Sequence, residues 1–135
     1  MTDTVTFTGA IPTVPYSDPR TAITWLERAF GATASLVVPE DPTEPLVHAE
    51  VRVGTGVVII DDANANPERP WALPGPVSVY VVVDDPDALH DTAVAAGAEI
   101  VLELSDKDYG SRDFMARDPH GNLWCFGTYR PGSPA

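Results

Sequence analysis

The sequence predicts an α+β fold of two β-α-β-β-β modules, and three observations lead there. The first is an internal repeat: "YSDPRTAITWLERAFGATASLVV" (16–38) and "VDDPDALHDTAVAAGAEIVLEL" (83–104) share one layout. The second is the punctuation of that repeat. Asp18-Pro19 and Asp85-Pro86 open the two helices and Gly31 and Gly97 close them, with offsets of 67 and 66 residues. The third is a set of short alternating apolar runs after each helix, broken by "GTG" (54–56) and "DPHGN" (118–122).

Each element has a local reason. Asp at an N-cap accepts the free amide protons of the first turn, and Pro suits the first helical position. Ala22, Ile23, Leu26, Ala29 and Phe30 form one stripe on the first helix; Leu89, Ala93, Val94 and Ala96 form a weaker one on the second. Strands are expected at Phe7–Val14, Ala32–Pro39, Leu46–Val53 and Gly56–Asp61, then at Pro76–Val83, Ala98–Leu104, Phe114–Arg117 and Asn122–Thr128. Module one thus spans 5–61 and module two 76–129. The Pro- and Asn-rich stretch 62–75 links them, and 130–135 is a tail. With a helix on one face of each sheet, the other faces are expected to curl around a shared cleft.

The chain's 135 residues make one domain of ordinary size. A lone cysteine excludes an internal disulfide and fits a reducing compartment. The N-terminus has no basic stretch followed by an apolar run, and no segment matches a membrane span, so the expectation is a soluble cytoplasmic protein. A net charge of −12 opposes a nucleic-acid role. It serves solubility or draws a cationic small molecule, and charge alone does not choose between them.

The doubled plan, with "SDPRTAITWLERAFGA" (17–32), "AGAEIV" (96–101) and "DPHGNLW" (118–124), resembles the vicinal oxygen chelate superfamily of glyoxalases, bleomycin-resistance proteins and extradiol dioxygenases. "HAEVRVG" (48–54) and "DYGSRDFMARDPHGNLWCFGTY" (108–129) are most similar to its small glyoxalase/bleomycin-resistance members. The resemblance implies eight strands around a cleft, a small-molecule ligand and a homodimer. It also implies, in metal-using members, a divalent ion held by His, Gln or Glu from the inner strands. Counting from the Asp-Pro caps and the DPHG turn places those positions at Ile11, Ser78, Cys125 and either Ile60 or Asp61. Ile11 has no donor, Ser78 is a poor ligand, and a cysteine would stand alone. The expectation is therefore no cofactor, with one divalent ion on His48 and Glu50 as the alternative. Cys125 reads as a small buried wall residue.

His48, Glu50 and Arg52 share one strand face because side chains alternate. That face is either a wet outer surface or the ligand side, and the ligand side is preferred because the opposite row must cover the helix. Ser78 and Tyr80 alternate with a valine row; Tyr80 either positions a polar ligand or is a core tyrosine with its hydroxyl at the edge. Tyr109 and Arg112 flank a Gly-Ser loop, where the guanidinium either clamps a ligand or pairs with a nearby acid. Trp71 in the linker lids a pocket or plugs a turn. Trp25 reads as a core or dimer-contact residue and Trp124 as core, while His90 and His120 read as solvent-facing, His120 without a task. The leading expectation is metal-independent binding of a small organic molecule, of the resistance or sequestration type. The alternative is a lyase, isomerase or dioxygenase using Glu50 and His48 on a metal or as acid and base. A third reading is an accessory protein that shields a biosynthetic intermediate.

Overall fold

The computed structural model describes residues 10–64, 68 and 75–131. Its elements run β1 (Thr13–Tyr16), α1 (Pro19–Phe30), β2 (Thr33–Val38), β3 (His48–Val53), β4 (Gly56–Asp62), β5 (Ser78–Val82), α2 (Pro86–Ala95), β6 (Glu99–Asp106), β7 (Arg112–Arg117) and β8 (Leu123–Gly127). They form two four-stranded mixed sheets of the same plan, ordered β1-β4-β3-β2 and β5-β8-β7-β6. Each is thus a β-α-β-β-β module in which the first strand runs parallel to the last.

The helix ends follow their sequence signals. The Asp18 carboxylate accepts the Thr21 N–H at 3.3 Å, and Asp85 accepts that of Ala88 at 3.1 Å. Gly31 closes α1 in the left-handed region at φ 68°. In α2 the cap itself is the right-handed Ala96, and Gly97 turns left-handed one residue later. The α1 stripe is buried as expected. In α2, Ala93 is buried but Val94 is 49% exposed. Val94 lies five residues beyond Leu89, about 140° round the helix at 100° per residue, so it leaves the stripe.

β1 reaches Tyr16, two residues past the expected end, because Pro15 and Tyr16 continue the parallel register opposite Asp61 and Asp62. Pro15 is tolerated since β1 is an edge strand. β7 starts at Arg112 rather than Phe114, because the pairing of Arg112 with Asp106 and of Asp113 with Ser105 extends the ladder. The expected first-strand residues 7–9 and most of the linker lie outside the described residues.

One apolar core runs through both modules, with α1 and α2 in contact. Phe30 of α1 meets Trp124 and Phe126 of β8 at ring separations of 5.6 and 4.7 Å. Withdrawing a side chain such as Phe30 from water contributes about 1.5–3 kcal/mol. A cavity of about 250 Å³ lies between the modules, where Pro12 and the β3–β4 hairpin approach Val79–Val82 of β5. No helix among the described residues is long and apolar enough to cross a membrane.

The modules are also pinned by a polar bond, from the Tyr16 hydroxyl to Asp118 Oδ2 at 2.7 Å. Burial first, then the charge of Asp118, pushes the Tyr16 pKa far above the ordinary tyrosine range. A folded pKa above the unfolded value, about 10, contributes stability that is present below that pH and lost as pH rises through the folded pKa. Alkaline ultraviolet titration should therefore show one of the four tyrosines ionising only together with unfolding. Tyr16→Phe should remove that last step. If all tyrosines ionise while the protein stays folded, Tyr16 is not held as described.

Candidate functional site

On both sheets, strand alternation sends one row into the core and leaves the other on an open face. In the first sheet Ala49, Val51 and Ile60 are fully buried. His48, Glu50 and Arg52 take the other face, beside Ile59 and Val57 of β4. His48 Nε2 and Glu50 Oε2 are 2.8 Å apart, each side chain 38% exposed. A bulge in β2 skips Ser35, whose hydroxyl donates to the Glu50 carbonyl, and sets Leu36 and Val38 opposite Glu50 and His48. The His–Glu pair is thus flanked by two exposed aliphatics that simple alternation would have placed differently.

In the second sheet Trp124 and Phe126 are buried, and Ser78, Tyr80 and Cys125 lie on the open face with Met115. Here the polar groups converge at one end. Asp113, 4% exposed, accepts the Tyr109 hydroxyl at 3.3 Å and the Ser111 hydroxyl at 3.4 Å, and lies 3.6 Å from Lys107 Nζ. The Tyr80 hydroxyl donates to the Tyr129 carbonyl at 2.7 Å. The Tyr109 and Tyr129 rings meet edge to face, 5.8 Å apart. Gly127 makes this possible. A Cβ there would lie 2.7 Å from the Tyr80 hydroxyl and 2.8 Å from the Asp113 Cβ.

Cys125 is half-buried rather than buried. Desolvation, then the Asp113 charge, raises its thiol pKa, while Lys107 opposes them. The Tyr80 and Tyr109 hydroxyls are also pushed up, by desolvation first.

Arg112 is paired with acids. Its Nε and Nη2 grip both oxygens of Asp87 at 2.8 and 3.0 Å, and Nη1 reaches Asp106 at 3.3 Å. It ties β7 to the first turn of α2, and the Asp87 carboxyl is held below the usual carboxylate range mainly by that bond. Two histidines differ from expectation. His90 packs edge-on against Phe114 and bonds Glu103 at 3.2 Å, because its helix face turns toward β6 and β7. His120 packs its ring edge-on against Tyr16 at 5.0 Å, drawn in by the turn that Asp118 organises. Trp71 lies outside the described residues.

The donors implied for a divalent ion do not fit one. Ile11 is exposed and Ile60 faces the core, while Asp61 is buried and accepts the Asp62 backbone N–H at 3.1 Å. Cys125 would be a soft donor without a second thiolate, since it is the sole cysteine of the chain. Among the described residues no three His, Cys, Asp or Glu side chains converge on one point. Of the candidate site residues among the described residues, Tyr80 alone lines the cavity between the modules. His48, Glu50 and Arg52 form one group, and Ser78, Tyr80, Tyr109 and Cys125 belong to another. Sequence reasoning missed Asp113, Lys107, Ser111, Met115 and Tyr129. An isolated glycine inside the last strand was the available signal for the second group.

Comparison with known proteins places this geometry. Residues 9–126 match the Glyoxalase/Bleomycin resistance protein/Dioxygenase superfamily. The uncharacterized protein Mb0911c of Mycobacterium bovis is 32% identical over 122 residues, covering 86% of this chain and 80% of that protein. The crystal structure of TioX from Micromonospora sp. ML1 shares 31% identity with a TM-score of 0.75, covering 90% of this chain and all (100%) of that one. Lactoylglutathione lyase from Agrobacterium tumefaciens superposes with a TM-score of 0.68 over 90% of this chain and 94% of its own; at 17% identity it bears on the fold alone. The matched span runs from before β1 into β8 and covers most of the chain, so the chain belongs to the glyoxalase/bleomycin resistance protein/dioxygenase superfamily.

Proposed function

We propose that this protein binds a small organic molecule on the open face of its second sheet, without a metal ion, in the manner of resistance or sequestration proteins. One observation carries the reading: Tyr80, Tyr109, Cys125 and Met115 gather on that face beside the buried Asp113, with the thiol and both phenols shifted toward their protonated forms. A protonated thiol is a poor nucleophile and a protonated phenol a poor base. What they offer a ligand is a polarizable surface with hydrogen-bond donors, beside Met115.

Cys125, the sole cysteine, reports on this face directly. The rate of its reaction with a neutral alkylating reagent should fall several-fold when a thermal-shift hit from a small-molecule screen is added. Met115→Glu should abolish both the shift and the protection. A hit that raises the melting temperature while leaving Cys125 fully reactive puts the ligand elsewhere. The enzyme reading is favoured by the His48–Glu50 contact at 2.8 Å. Stoichiometric metal in the purified protein, or a turnover that Glu50→Gln abolishes, would replace binding with catalysis.

A further inference from the structure

The aromatic corner of the second sheet selects a class of ligand, an inference that rests on the small-molecule reading above. Three of the chain's four tyrosines, Tyr80, Tyr109 and Tyr129, gather there. Their exposures are 36%, 64% and 46%, so each residue is open to solvent in part. Asp113 lies among them, almost wholly buried. The chain's only lysine is there too: the Lys107 ammonium donates to Ser105 Oγ at 2.8 Å and stands 3.6 Å from Asp113.

Several rings around a desolvated carboxylate suit a positive charge. The faces of aromatic rings attract cations within about 6 Å, and more strongly as water is excluded. The net charge of −12 draws cations toward the surface. The protein already satisfies this environment with a cation of its own. That cation's grip on Asp113 is loose, because 3.6 Å exceeds a direct hydrogen bond and the Lys107 side chain, anchored on Ser105, is 29% exposed. We infer that the Tyr80–Tyr109–Tyr129 corner with Asp113 binds the ammonium group of an organic cation, and that Lys107 is its resident competitor.

The competitor makes an unusual prediction: removing a positive charge should improve binding. Choline and its neutral carbon isostere, 3,3-dimethylbutan-1-ol, serve as probes in calorimetric titration of the full chain. Choline should bind at least about ten-fold more tightly than the isostere. Lys107→Met should tighten choline by about ten-fold, since an intramolecular rival is gone. Asp113→Asn should weaken it by a similar factor, its melting curve establishing that it still folds. Equal affinity for the two probes, or a Lys107→Met variant that binds choline no better than the parent, would overturn the inference. If choline fails to bind while other molecules still protect Cys125 from alkylation, the cation site falls and the small-molecule reading stands. If nothing protects Cys125, both fall.

Discussion

Replacing Asp118 by Ala is expected to destabilise the fold by about 3–5 kcal/mol, since each buried donor left without an acceptor costs about 1–3 kcal/mol and part of that loss is recovered by relaxation and water. Asp118 is 4% exposed, and both of its oxygens are used. Oδ2 accepts the Tyr16 hydroxyl at 2.7 Å and the Trp124 indole N–H at 3.1 Å. Oδ1 accepts the backbone N–H groups of His120 at 3.0 Å and Asn122 at 2.9 Å. Alanine strands all four donors, and three elements feel it: β1, the β7–β8 turn and β8. Hydrogen bonds to a charged group are worth about 1.5–3 kcal/mol, so Tyr16→Phe, which removes one donor and leaves the carboxylate three, should cost less than Asp118→Ala. Urea unfolding of both single variants and the double variant checks this. The two effects should not add, because Tyr16→Phe has little left to remove once Asp118 is gone. A loss below about 1 kcal/mol for Asp118→Ala would mean that the turn holds itself and that Tyr16 does not pin the modules.

The same residue shows what can be read from a sequence. "DPHGN" announces a turn, because Asp, Pro, Gly and Asn each favour one for local reasons. The helix caps and the α1 stripe are legible for the same reason: their partners lie three or four residues away. Alternation along β8 likewise separates Trp124 from Cys125. That Asp118 reaches back 102 residues to Tyr16 has no local sign. Nor has the docking of His120 on Tyr16, or the grip of Arg112 on Asp87 across 25 residues.

The candidate site was legible as a list of strand faces but not as a constellation. His48 and Glu50 meet because they are two apart on one strand, a fact of spacing. Asp113 was passed over because its neighbours, Lys107, Tyr109 and Ser111, come from the loop that joins β6 to β7. Loop geometry follows from the whole fold, not from a period in the sequence. The β2 bulge hides Leu36 and Val38 in the same way: one extra residue reverses the facing of those that follow it.

Gly127 is where fold and site depend on one atom that is absent. It sits opposite Asp113 in the β7–β8 ladder, on the open face. A methyl group there would meet the Tyr80 hydroxyl at 2.7 Å, the Asp113 Cβ at 2.8 Å and Ser111 Oγ at 3.1 Å. The tip of Tyr80 can swing away, but only by giving up its bond to the Tyr129 carbonyl. Asp113 Cβ cannot swing; it moves only with β7. Gly127→Ala is therefore expected to cost about 1–3 kcal/mol, the range for overpacking, despite alanine's better fit to a strand. The substitution should also scatter the tyrosine corner, so ligand affinity should fall further than in a variant equally destabilised from within the core. Shortening Tyr80 to Ala in the same chain should relieve part of the stability cost without restoring binding, because one clash goes while a wall of the corner goes with it. Urea unfolding and ligand titration on the two variants read these effects separately. A Gly127→Ala protein as stable as the parent, with Cys125 still protected by ligand, would mean that the close approach of Tyr80 over β8 is not what builds the site.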